Sequence, residues 1–175
     1  MTEEPDAPGG PGSEPDEESG GSDEGGPDRG GDGESPGDAV PWASFLDEHG
    51  YLAWLGVQID EVGDGWAVMR IPYDEKLLNP GSGGTVHGGV AATLIDTSSA
   101  FALRTTFDDP ASAGLATTDL HVNYLRPARD DLVARAEVVR AGGSIGVTDV
   151  TVTSTTPDGE EKAVAVGRTT YRLFR

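Results

Sequence analysis

One carboxylate, Asp96, stands in a run of small and apolar residues, with Ala92, Leu94 and Ile95 before it and Ala100 and Phe101 after it. An isolated ionised carboxylate in such surroundings is costly unless it is partnered or faces a wet cleft. Its place in the chain therefore points to chemistry that needs a base or a nucleophile. Nine residues earlier the chain reads His87-Gly88-Gly89, at the end of the glycine-rich stretch NPGSGGTV over 79–86. Glycines entering a helix leave backbone N–H groups open at its positive end. Such groups can hold a developing oxyanion. On one helix, nine residues put His87 and Asp96 on nearly opposite faces and roughly 13 Å apart along the axis. The two do not reach the same atom within one chain. If both act on one substrate, the site lies between two copies, with the helix start of one facing the Asp96 of the other.

The elements that must position these groups follow from pattern. From His87 to about Thr106 the residues are small or apolar on nearly every face, the pattern of a helix buried all round. Before it, Pro41 opens a short helix over Trp42–His49, with Asp38 as a cap and Gly50 as a stop, and His49 is a packing or surface residue. Tyr51–Leu55 extends that helix or links it onward. Val57–Glu61 and Trp66–Pro72 alternate as strands, and Gly63-Asp64-Gly65 between them is a hairpin signal. A loop over Tyr73–Ser82 leads into the central helix, and Asp108-Asp109-Pro110 marks a turn beyond it. Strands are expected over Leu115–Leu125, Leu132–Arg140, Ile145–Thr155 and Lys162–Phe174, with turns at Gly142-Gly143 and Pro157-Asp158-Gly159. A sheet wrapped around one buried helix, an α+β fold, satisfies both patterns.

The 175 residues carry 31 Asp and Glu against 12 Lys and Arg, a formal net charge of -19, and no Cys. Residues 1–40 hold 13 of those acids and one Arg among many Gly, Pro and Ser, which leaves 18 acids and 11 bases for 41–175. The first segment reads as a disordered acidic Gly/Pro-rich tail, and residues 41–175 as one domain. The absence of cysteine excludes thiol nucleophiles, disulfides and thiolate metal sites. Strong acidity argues against a nucleic-acid partner. No apolar run is long enough to cross a membrane and no leader pattern opens the chain, so a soluble cytoplasmic protein is expected. Two Lys beside ten Arg, with surplus acid, resemble the usage of salt-loving archaea.

At this point the residues carry a resemblance. The order of elements, the HGG, the Asp nine residues after the His, and the later runs Thr117-Thr118-Asp119-Leu120 and Asn123-Tyr124-Leu125-Arg126-Pro127-Ala128 resemble the hotdog-fold acyl-CoA thioesterases of the phenylacetate-degradation type. The likeness spans about Trp42 to Phe174. It implies a long central helix wrapped by an antiparallel sheet, in a homo-oligomer, dimer or tetramer, that hydrolyses acyl-CoA without a cofactor or metal. By the same resemblance Asp96 matches the catalytic carboxylate, as nucleophile or as base on water. Gly88 matches the glycine whose N–H polarises the thioester carbonyl, and His87 the histidine that steadies its loop. Thr117 matches a Ser or Thr that helps to place the water. Asn79, eight residues before His87, resembles the loop asparagine on the thioester side. Gly89 and Arg126 and Arg129 are candidates for substrate contact, the arginines, with Arg104, toward the phosphates of coenzyme A.

The residues agree with this chemistry on their own terms. A thioester carbonyl is electrophilic and its thiolate leaves readily, so an oxyanion donor and a carboxylate suffice. Other motifs lead elsewhere. Gly142-Gly143-Ser144-Ile145-Gly146 matches the G-x-S-x-G string, but no His follows Ser144 and a strand does, so a hairpin turn is the better reading. His49, His87 and His121 lack metal-ligand spacing, and His121 alternates with Asp119 and Asn123 on a strand, where they line the cleft or face solvent or another subunit, the latter being the better reading. The glycine loop lacks the G-K-[ST] of a phosphate-binding loop. Two alternatives stay open beside the thioesterase: an enoyl-CoA hydratase or dehydratase of the same fold, and a non-catalytic acyl-CoA-binding module. A pure binder gains little from a buried charge beside a neutral thioester.

Overall fold

The computed structural model describes residues 42–175, with side chains from Phe45 onward. The acidic segment 1–40, the Asp38 cap and Pro41 lie outside the described residues. Two short helices open the domain, α1 (Trp42–Glu48) and α2 (Gly50–Leu55). The hairpin of β1 (Gln58–Gly63) and β2 (Trp66–Ile71) follows. After a single 3-10 turn at Glu75–Leu77 comes the long helix α3 (Gly88–Arg104), and then β3 (Gly114–Tyr124), β4 (Leu132–Ala141), β5 (Ile145–Thr155) and β6 (Glu161–Phe174). Every expected element is present within a residue or two. One expectation is corrected: Gly50 does not stop a helix but begins α2, because the chain breaks at His49, whose backbone is extended.

All six strands form one antiparallel sheet in the order β1-β2-β4-β5-β6-β3. Helix α3 lies across one face of it. Ala67, Met69 and Ile71 of β2, Leu132, Ala134 and Ala136 of β4, and Val150 and Val152 of β5 turn toward the helix and meet Leu94, Ile95 and Phe101 in a buried core. Period-2 alternation along each strand thus selects one face, and the helix covers it. The hairpin closes through Asp64 and Gly65, and Gly65 takes the left-handed backbone that a two-residue turn favours.

The helix is not buried all round. Gly89, Ala92, Thr93, Asp96, Ala100 and Arg104 form a stripe at helical spacing that this chain leaves open or half open. That geometry explains how a carboxylate can sit mid-helix: it lies on the stripe facing away from the core. Under the helix, three buried hydroxyls form a chain: Thr169 donates to Thr148, Thr148 to Ser99 Oγ at 2.7 Å, and Ser99 to the Ile95 carbonyl at 2.8 Å. Thr148 and Thr169 are direct cross-strand partners of β5 and β6.

The helix can approach the sheet this closely only where side chains are missing. A Cβ on Gly167 would lie 2.7 Å from Ile95 Cγ2 and 3.0 Å from the His121 carbonyl oxygen. Gly167→Val is therefore expected to lower stability by about 1–3 kcal/mol through overpacking. A urea unfolding curve with an unchanged midpoint would contradict this account of the helix–sheet contact.

Candidate active site

The loop before α3 folds back on itself. Asn79 N–H donates to the Thr85 carbonyl at 3.0 Å, Ser82 Oγ donates to the Asn79 carbonyl at 2.7 Å, and a bridge joins Leu78 to Val86. The eight residues from Asn79 to His87 are thus taken up by a self-closed turn, and Asn79 lines the same groove as His87 and Gly88. His87 caps α3: its Nδ1 accepts from the Gly89 N–H at 2.9 Å, while its own N–H donates to the Leu77 carbonyl at 2.8 Å. A side chain that takes one of the open N–H groups at a helix start fixes the first turn. The Gly88 N–H is left without an acceptor among the described residues, as an oxyanion donor requires.

Gly88 is held from the other side as well. Tyr124, at the end of β3, donates through its hydroxyl to the Gly88 carbonyl at 2.9 Å. A Cβ at Gly88 would come within 3.1 Å of the Tyr124 ring. Asn79, His87, Gly88, Tyr124 and Arg126 line a groove of about 460 Å³ whose floor includes Val86, Ala91 and Ala165. That volume suits a small-molecule site. Arg126 donates to the Ala163 carbonyl at 2.8 Å and also borders a second cavity of about 280 Å³ with Arg129 and Lys162. Gly89 is exposed at the turn, with its N–H already committed to His87. Arg104 lies elsewhere: it donates to the Pro110 carbonyl and covers the Phe45 ring, and burial lowers its guanidinium affinity for protons.

Asp96 is not among the residues lining that groove. Its Oδ1 accepts from Thr117 Oγ1 at 2.9 Å and from the Tyr171 hydroxyl at 2.6 Å. Tyr171 is buried, 3% exposed, and burial first, then the charge of Asp96 and the hydrogen bond to it, raise its phenol well above the ordinary range. It is a neutral donor at any working pH. One chain therefore presents two separate clusters: Asn79, His87 and Gly88 with Tyr124 at the groove, and Asp96 with Thr117 and Tyr171 on the open stripe of α3. His121, Asp119 and Asn123 are exposed on β3, and His49 is exposed between α1 and α2. No three His, Asp or Glu side chains gather to hold a metal ion among the described residues. No helix among them is long and apolar enough to cross a membrane.

Sequence reasoning missed both tyrosines. Tyr171 stands 75 residues from Asp96, and its only signal is alternation with Thr169 and Leu173 on the inner face of β6. Tyr124 fell within the run that carried the resemblance, where nothing local marks it as a brace for Gly88.

Comparisons with known proteins bear on the fold and the reaction class. Residues 83–160 match the thioesterase superfamily model. A relative from Halobacterium salinarum, provisionally named an esterase, is 51% identical over 135 residues that span 75% of this chain and 89% of its own. The human protein named acyl-coenzyme A thioesterase 13 is 35% identical over 111 residues, 62% of this chain and 74% of that protein. The crystal structure of a thioesterase family protein from Silicibacter pomeroyi superposes with a TM-score of 0.69 at 28% identity, covering 75% of this chain and 94% of that one.

The capping role of His87 yields a contrast. His87→Ala removes the acceptor for the Gly89 N–H and is expected to cost about 1 kcal/mol of stability, whereas His87→Asn keeps an acceptor at the cap and is expected to melt above the Ala variant. Equal thermal melting of the two variants would mean that the Nδ1 contact contributes nothing to the turn.

Proposed function

The chain belongs to the thioesterase superfamily, and on that footing we propose that it hydrolyses acyl-CoA thioesters in a homo-oligomer whose sites each take Asp96 from one copy and the His87-Gly88 turn from another. The observation that carries the reading is the separation of the two clusters within one chain: an open oxyanion donor lines a groove that Asp96 does not. Two further features support pairing. The edge strand β3 is eleven residues long and exposes Leu120 and Tyr124 beside an unpaired ladder, the kind of edge that another chain covers. The open stripe of α3 that bears Asp96 is the other surface a second copy would cover.

The acyl thioester enters the groove with its carbonyl oxygen at the Gly88 N–H, and the carboxylate of the facing copy draws a proton from water as the water oxygen attacks the carbonyl carbon. Thr117 steadies the carboxylate, and Asn79 contacts the thioester side. Arg126, which lines both the groove and the adjoining cavity, and Arg129, which shares that cavity with Lys162, take the phosphate-bearing end of the carrier. The hydratase alternative gains nothing from this arrangement, since His87 Nδ1 is spent on the cap and the partners of Asp96 are hydroxyls.

Thiol release from a panel of aromatic and aliphatic acyl-CoAs, measured in high salt, tests the reaction. Wild type should turn over at least one member, and Asp96→Asn should lose the rate by at least about a thousandfold with the fold intact. Retention of most of the rate in that variant would sink the assignment. The shared site has its own test, in which inactive Asp96→Asn and Gly88→Val chains are co-refolded. Random pairing should restore roughly a quarter of wild-type activity, because half of the dimers carry one undamaged site of two. Mixtures that stay inactive while forming hybrids, or an active monomer, would place both clusters in a single-chain site.

A further inference from the structure

We infer that Tyr171 is a positioning residue that decides which oxygen of Asp96 reacts: together with Thr117 it saturates Oδ1 and leaves Oδ2 to take the proton from water. The inference rests on the thioester-hydrolase reading above and adds to it a residue and an atom.

The geometry is specific to one oxygen. Both donors, Thr117 at 2.9 Å and Tyr171 at 2.6 Å, converge on Oδ1, and no protein group donates to Oδ2 among the described residues. A carboxylate oxygen has about two lone-pair directions, so Oδ1 is fully occupied. The Tyr171 hydroxyl also lies 2.7 Å from the main-chain carbonyl of Asp96. One phenol thus touches both the side chain and the backbone of the same residue, which fixes the carboxylate relative to its own helix. Free rotation would exchange the two oxygens; this clamp prevents it.

The clamp follows from strand register. Thr117 and Tyr171 are direct cross-strand partners of β3 and β6, and the ladder shifts immediately afterwards, between Thr117 and Asp119. Partners in such a pair project to the same face about 5 Å apart, which lets a short hydroxyl and a long one reach a common acceptor. The Tyr171 ring is locked among Leu103 and Leu173 with Ala100, Phe107 and Leu115 against them. A buried phenol on a rigid strand holds its target with little loss of order on binding substrate. It does not itself meet the substrate.

The step then runs with its atoms accounted for. A water O–H bond breaks and its proton goes to Oδ2, while the water oxygen bonds to the thioester carbon. The carbonyl electron pair moves onto oxygen at the Gly88 N–H, then returns as the C–S bond breaks. The departing thiolate takes the proton from Oδ2, leaving the acid and the free thiol. Oδ1 keeps its two hydrogen bonds throughout.

The test separates the hydroxyl from the ring. In Tyr171→Phe, kcat should fall roughly ten- to hundredfold, the worth of a hydrogen bond to a charged group, with KM changed less than about twofold because ground-state binding is untouched. Thr117→Val should give a loss of the same order. The double variant should lose less than the product of the two, since either deletion already frees the carboxylate. A matched pair at position 171 guards against misfolding: 4-aminophenylalanine, which donates, and 4-methylphenylalanine, which is the same size and does not. Recovery of rate with the amino group only supports the assignment. Equal kcat for that pair, wild-type kcat in Tyr171→Phe, or a change confined to KM overturns it while wild-type thiol release leaves the functional reading standing. A wild type inert on every acyl-CoA overturns that reading, and the inference with it.

Discussion

A carboxylate carried two turns into a helix can meet hydroxyls on a sheet only if helix and sheet lie close at that level. Here the sheet gives way to let it happen. Gly167 on β6 has no side chain where Ile95 descends, so the residue before Asp96 presses almost onto the backbone of the ladder. Tyr171, four residues further along the same strand, then stands where its hydroxyl reaches the carboxylate. Pull the helix outward by a methyl group and the hydrogen bonds at 2.6 and 2.9 Å would lengthen past useful geometry. The packing of the core and the electrostatics of Asp96 are one constraint expressed in two places.

The helix start is organised by a different economy of contacts. Its open N–H groups are divided: one is capped by His87, and one, at Gly88, has no acceptor among the described residues. Val90 donates its N–H to the His87 carbonyl at 2.9 Å, which holds the peptide that carries the free Gly88 N–H, and Tyr124 holds the next peptide through the Gly88 carbonyl. The turn over residues 79–86 closes on its own Ser82 and Thr85 contacts, which keeps that edge of the groove in place. Orphaned donors at helix ends are taken by side-chain caps, water or ligands; in this chain a wall of apolar side chains stands beside the Gly88 N–H.

Much of this was legible in the sequence. The alternation of Leu132, Ala134 and Ala136, the hairpin at Asp64-Gly65 and the glycine-flanked start of α3 are local signals with local causes, and each fell where its pattern put it. Asp96 announced itself by its cost in an apolar run. The open stripe of α3 did not: small residues such as Ala92, Thr93 and Ala100 read as core, whether the surface that covers them is the same chain's sheet or something outside it. Gly50 looked like a stop because glycine often is one, yet the break was made by the backbone of His49. Tyr171 was invisible for a deeper reason. Its role depends on register with Thr117, and register is a property of two strands together, set across a sheet and through a bulge.

The buried hydroxyl chain of Thr169, Thr148 and Ser99 bears on how this sheet finds a single alignment. Valine at 148 and 169 and alanine at 99 would fill nearly the same space and would cost nothing in desolvation. It would also accept a neighbour shifted along the strand, since one branched apolar side chain contacts another without preference. The three hydroxyls have one donor each and one acceptor waiting in order, ending on the Ile95 carbonyl. A slip of β5 against β6 leaves buried donors with nothing to give to, a penalty that grows with each broken link. The chain therefore works like a parity check written into the core: it adds little to the depth of the native well and a great deal to the height of its nearest competitors.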